Sequence, residues 1–212
     1  MNSFGIIAQT DPRSPVAEAF RILRTNLKFA SVDKPFRSIL ITSPGPQEGK
    51  SETVANMAAV IAQAGTRVIV VDCDLRYAEQ HEIFGLKNEN GITNVLAGGT
   101  DINKVLRKTS MPNLQVVSAG TLAPNPSELL QSEKVKDLLG QLAQMCEVLI
   151  IDSPPLLIRS DAAVLSSMAD GVILVIKTGK TKVDSLVEAK DRLEQAGARI
   201  LGTVMCKVKR VQ

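Results

Sequence analysis

A chain of 212 residues with 44% hydrophobic and 22% charged side chains has the balance of a folded globular protein of one domain and not of a disordered segment. Aromatic residues are only 3% and Trp is absent, so the core must be built from Leu, Ile, Val and Ala, which suits a parallel sheet covered by helices. The net charge of +3 is mild and its basic residues are scattered, which argues against a nucleic-acid partner. No apolar run approaches the roughly 18 residues of a membrane span. The N-terminus carries no signal-peptide pattern. A cytoplasmic protein is expected, brought to the inner face of the membrane only by a partner. Cys73, Cys146 and Cys206 lack metal-ligand spacing and lie in apolar surroundings, as buried reduced thiols do.

Residues 1–13 show no periodicity and are expected to form a loose arm. Ser14-Pro15 reads as a helix start, a hydroxyl at the N-cap followed by proline at the first helical position. Val16, Phe20, Leu23 and Leu27 follow at helical spacing. SILITS is a short buried strand, GPQEGKS a glycine-bearing loop, and ETVANMAAVIAQAG a helix closed by Gly65. RVIVVDCD is a second strand, residues 77–110 hold short helical pieces, and LQVVSAG is another strand. Asn125-Pro126-Ser127-Glu128 has capping-box spacing and opens a helix expected to reach about Gln144. EVLIIDSPP is a strand ending in an acid, Ser160 can cap the helix after it, GVILVIKTG is a strand, a helix ends at Gly197, and RILGTVMCKV is the last strand. Apolar strands alternating with helices predict an α/β fold with a doubly wound, mostly parallel sheet, spanning 1–212 as a single domain.

The sharpest chemical signal is Gly45-Pro46-Gln47-Glu48-Gly49-Lys50-Ser51, followed by Glu52, between a strand and a helix. A nucleoside triphosphate needs many donors and a positive charge at short range. Backbone N–H groups around Gly49 and the helix N-terminus supply the donors, Lys50 reaches the β- and γ-phosphates, and the Ser51 hydroxyl ligates Mg²⁺. The strict motif wants glycine where Pro44 stands. VIVVDCDLR then delivers Asp72 and Asp74, and VLIID delivers Asp152, to strand ends where open parallel sheets bind ligands. One acid can serve the metal while another orients or deprotonates a nucleophile. The plainer alternative for Asp74 is that it merely caps the helix that follows it. Mn²⁺ would suit the same oxygen donors.

The Asp72-Cys73-Asp74-Leu75-Arg76 element, with EAFRILRTNL, IIDSPP, PNPSELL and DGVILVIKTGKT, resembles the bacterial tyrosine kinases of capsular and exopolysaccharide export over nearly the whole chain. The likeness is to the free-standing type, whose membrane activator is a separate protein, within the P-loop branch that includes positioning ATPases. The resemblance implies Mg-ATP on Lys50 and Ser51, Asp72 as base for a tyrosine hydroxyl, and Asp74 and Asp152 around the metal. It also implies a homo-oligomer joined through Glu18, Arg21 and Arg24, which lie three apart on one helix face. A solvated, self-paired face is the plain alternative.

Two departures stand out. The family's tyrosine cluster is missing from KVKRVQ, and Tyr77 is the one tyrosine. Cys206 stands where the family carries an adenine-contacting Asn, and a thiol cannot offer an amide's paired groups. A positioning ATPase, which would usually carry a second lysine at Gly45, and a nucleotide-gated scaffold without phosphate transfer are the competing readings.

Overall fold

A computed structural model describes residues 5–31 and 36–207. Its elements begin with helices α1 (Ile7–Thr10) and α2 (Pro15–Ala30), strand β1 (Ser38–Thr42), helix α3 (Lys50–Gln63) and strand β2 (Val68–Asp72). Short helices α4 (Gln80–Ile83), α5 (Ile92–Leu96) and α6 (Ile102–Val105) precede strands β3 (Arg107–Lys108) and β4 (Leu114–Val117). Helices α7 (Pro126–Leu130) and α8 (Glu133–Met145) lead to β5 (Val148–Asp152) and α9 (Asp161–Met168). Strand β6 (Gly171–Lys177), helix α10 (Val183–Gln195) and strand β7 (Ile200–Cys206) complete the series.

The strands form one sheet in the order β3-β4-β2-β5-β1-β6-β7, parallel except where β3 pairs antiparallel with β4. Successive side chains of a strand face opposite sides, and here both sides are covered. Leu40, Ile69, Val71 and Ile151 pack with Leu142, Leu165 and Leu193 from α8, α9 and α10. Ile39, Ile41, Val70 and Ile150 pack on the other face with Val54, Met57 and Val60 of α3 and Leu27 of α2. Every residue of α3 from Lys50 to Ala62 except Glu52 is buried. Its run of small residues lets the sheet lie close on one side and α1 and α2 on the other.

The predicted α2 start is present: Ala17 N–H donates to Ser14 Oγ at 3.1 Å. Gly65 and Gly197 close α3 and α10 with φ of +90° and +72°, a conformation glycine adopts without Cβ strain. Three expectations need correction. Within the expected loose arm, residues 7–10 form α1, because Ile6 and Ala8 are buried and Gln63 Nε2 donates to Ala8 O at 3.0 Å; residues 1–4 lie outside the described ones. The helix expected to run from Asn125 to Gln144 is two helices broken at Gln131-Ser132, and Asn125 donates to Glu128 Oε2 instead of capping the backbone. Ser160 makes no side-chain cap on α9. The two-residue β3 was too short to leave a periodic signal.

Asp170 fastens the start of β1: its Oδ2 accepts from Arg37 N, Ser38 N and Ser38 Oγ at 2.8–2.9 Å. Although partial burial opposes ionisation, these donors hold its carboxyl below the usual value. Asp170→Leu is expected to cost about 1 kcal/mol and to lower the Tm by about 2–4 °C at neutral pH. A depressed folded pKa gives stability that is complete above about pH 4 and lost as pH falls through the folded value. The Tm gap between the two proteins should therefore close in acid, as read by circular dichroism melts at several pH values.

Candidate functional site

Strands β1, β2 and β5 are neighbours, and the acids and the glycine loop all emerge from their carboxyl ends. Asp72 and Asp152 sit directly opposite each other in the β2–β5 register, and both are fully buried. Lys50, at the first turn of α3, reaches across to them. Its Nζ is 2.7 Å from Asp152 Oδ1, 3.5 Å from Asp74 Oδ2 and 3.1 Å from Ser51 Oγ.

Burial on its own would lower the Lys50 pKa, but the carboxylates of Asp152 and Asp74 overcome it and hold the ammonium above its ordinary value. Burial pushes Asp74 up, opposed by Lys50. Asp72 is pushed well up by burial and then by the charge of Asp152. Its two oxygens accept from Asp74 N and Gln80 N, each at 3.1 Å. Asp72 therefore reaches the first N–H of α4, while Asp74 Oδ1 accepts from Tyr77 N at 3.2 Å and closes a turn.

The loop between β1 and α3 is braced from within. Glu48 is buried; its carboxylate accepts from Gly45 N at 2.8 Å and from the Thr181 hydroxyl. Lys180 donates to Pro46 O at 2.7 Å and Lys177 to Gln47 O at 3.2 Å. They hold Gln47 at φ +57°, a left-handed conformation costly for a residue with a Cβ. Gly49 has φ +94°, and a Cβ there would lie 3.3 Å from Cys206 Sγ. Cys206 also meets Thr53 Oγ1 at 3.5 Å, which places the end of β7 against the loop and the start of α3.

The structure thus brings Gly45, Pro46, Gln47, Glu48, Gly49, Lys50, Ser51, Asp72, Asp74, Asp152 and Cys206 to one end of the sheet. Glu52 is exposed on the first turn of α3. Glu18, Arg21 and Arg24 lie elsewhere, on α2. Arg21 Nη1 is 2.7 Å from Glu18 Oε2, and Arg24 turns inward to donate to Val60 O of α3 at 2.8 Å. Sequence reasoning missed Gln80, Lys177, Lys180 and Thr181. The last three stand in the quoted KTGKT, whose spacing gives no hint that it folds back on the loop. A cleft of about 670 Å³ lined by Arg37, Lys136, Gly140 and Asp170 lies at the opposite end of β1 and contains none of these site residues.

A buried ammonium, strand-end carboxylates and a braced glycine loop opening a helix define a P-loop site. The model of a family described as an AAA domain matches residues 39–199. Tyrosine-protein kinase YwqD of Bacillus subtilis is 40% identical over 94% of this chain and 84% of its own length. The solved kinase domain of the Escherichia coli tyrosine kinase ETK superposes with a TM-score of 0.91 at 34% identity, covering 98% of this chain and 83% of that one. The chimerical protein CapA2B2 gives a TM-score of 0.92 at 35% identity, covering 97% and 90%. The chain belongs to the family of bacterial tyrosine-protein kinases. Among the described residues no helix is long and apolar enough to cross a membrane.

The brace can be tested alone. Thr181→Val removes one partner of the buried Glu48 carboxylate, a loss of about 1 kcal/mol. Affinity for a fluorescent ATP analogue is expected to fall about fivefold in an equilibrium titration, and the Tm by about 2–4 °C.

Proposed function

We propose that this chain transfers the γ-phosphoryl group of Mg-ATP to tyrosine hydroxyls of protein substrates in the control of polysaccharide synthesis and export. The observation that carries this reading is the convergence of Ser51 Oγ, Asp152 Oδ1 and Asp74 Oδ2 on the Lys50 ammonium. Hard oxygen donors already gathered around one cation suit Mg²⁺, which takes one or two carboxylates and keeps several waters. A metal at Ser51, Asp74 and Asp152 would neutralise charge on the phosphates and help to orient them.

In this reading Lys50 leaves the acids for the β- and γ-phosphates. Backbone N–H groups of residues 45–52 hold the phosphate oxygens, while the Glu48 brace keeps the loop in its binding shape. Cys206, beside Gly49 and Thr53, contacts the nucleotide. Asp72 acts as base toward the tyrosine hydroxyl. Burial and the neighbouring Asp152 raise its proton affinity, which favours that task. Glu18, Arg21 and Arg24 join subunits of a homo-oligomer, and a separate membrane protein recruits and activates it at the inner face of the membrane. Tyr77 is an exposed loop residue and no part of this chemistry.

Lys50→Met should abolish transfer from γ-labelled ATP to a tyrosine-bearing peptide, assayed with an activator peptide from a related system. Because Lys50 is buried among acids, the same change leaves uncompensated charge and should cost about 3 kcal/mol of stability, seen as a lower Tm with the folded spectrum kept at 20 °C. Free phosphate without labelled tyrosine would instead support an ATPase switch, and binding without turnover a scaffold. Glu18, Arg21 and Arg24 all changed to Ala should shift sedimentation toward monomer. The Arg24 bond to Val60 adds a small stability loss, which Arg24→Ala alone measures.

A further inference from the structure

Gln80 is fully buried yet appears in no motif read from the sequence. Its Nε2 donates to Asp152 Oδ2 at 2.6 Å and to Ser51 O at 3.1 Å, and its backbone N–H donates to Asp72 Oδ2 at 3.1 Å. One residue therefore ties β2, β5 and the first turn of α3 together at the point where their functional groups meet. Both side-chain partners are acceptors, the Asp152 carboxylate being paired with Lys50 through its other oxygen. The amide nitrogen must face them, which settles which way round the amide lies. Its carbonyl oxygen, Oε1, is then left buried with no hydrogen-bond donor among the described residues.

An orphaned buried acceptor is costly and calls for a donor, which a water or a bound ligand can supply. Lys50 Nζ is already committed to Asp152, Ser51 and Asp74, and in the reading above it leaves them for the phosphates. Oε1 is closed off from solvent, so a donor as small as water suits it and a phenol ring does not. Mg²⁺ retains several waters when bound through few protein ligands. We propose that Gln80 is a positioning residue of the metal site: its amide holds Asp152 and the Ser51 turn in place, and its carbonyl accepts a hydrogen bond from a water carried by the divalent cation. This rests on the reading of Ser51, Asp74 and Asp152 as metal ligands given above.

The test is a titration of a fluorescent ATP analogue with the purified full chain, first in EDTA and then across Mg²⁺ concentrations. It compares wild type with Gln80→Met, which keeps volume but has neither donor nor acceptor, and with Gln80→Leu. The Mg²⁺ concentration at half-effect should rise about tenfold or more in both variants, in the range for residues that support metal ligands. Nucleotide affinity in EDTA should fall by no more than about threefold, through the lost bond to Ser51 O, since phosphate binding there uses the loop and Lys50. A purely structural role would weaken both conditions alike, and that result overturns the proposal. A Gln80→Met protein whose Mg²⁺ requirement matches wild type overturns it too, while leaving the kinase reading intact. Wild type that binds the nucleotide identically with and without Mg²⁺ overturns the metal reading and this inference together.

Discussion

Everything at the carboxyl end of this sheet depends on how one ammonium group is shared among three buried acids. Asp72, Asp74 and Asp152 are each almost wholly removed from solvent, and carboxylates pay heavily for that unless they are compensated. Lys50 supplies the compensation through contacts to Asp152 and Asp74, and backbone N–H groups supply it for Asp72. One positive charge against three acids still leaves the cluster short of cation. Burial, with the charge of Asp152 added, pushes Asp72 and Asp74 up and makes both reluctant to ionise. A second cation entering with phosphates would relieve the shortage, and Lys50 would be freed to follow the phosphates.

The loop that faces those phosphates is shaped by a different part of the chain. Glu48 points into the loop and is met by Thr181, while Lys177 and Lys180 cover the carbonyls of Gln47 and Pro46. The connection after β6 thus acts as a clasp on the connection after β1. Because β1 and β6 are adjacent parallel strands, their carboxyl ends lie side by side and the clasp spans a short distance. Preorganisation of this kind limits the ordering that binding must impose on the loop.

The strand–loop–helix unit around Lys50 was legible because apolar strands, glycine and a following helix are local signals. Asp72 and Asp152 were legible for the same reason, each ending an apolar run. What could not be read was anything set by the register between strands or by side chains crossing between connections. Gln80 lies in a polar stretch with no periodicity, and its place depends on β2 being next to β5. The α7–α8 break was hidden because neither Gly nor Pro stands at Gln131-Ser132 to mark a helix stop. Glu18, Arg21 and Arg24 do share a helix, yet Arg24 turns to a carbonyl of α3, which sequence spacing cannot distinguish from facing outward. Ile6 and Ala8 are too few to mark a buried turn, though the surface of α3 requires them.

The aliphatic core has an optical consequence. The chain contains no Trp and one Tyr, so its intrinsic near-ultraviolet emission comes chiefly from Tyr77. That ring is 76% exposed, and its backbone N–H is bonded to Asp74 at the edge of the acid cluster. A single tyrosine therefore reports on the loop after β2, against a background to which the five Phe residues add only weakly and the aliphatic core nothing.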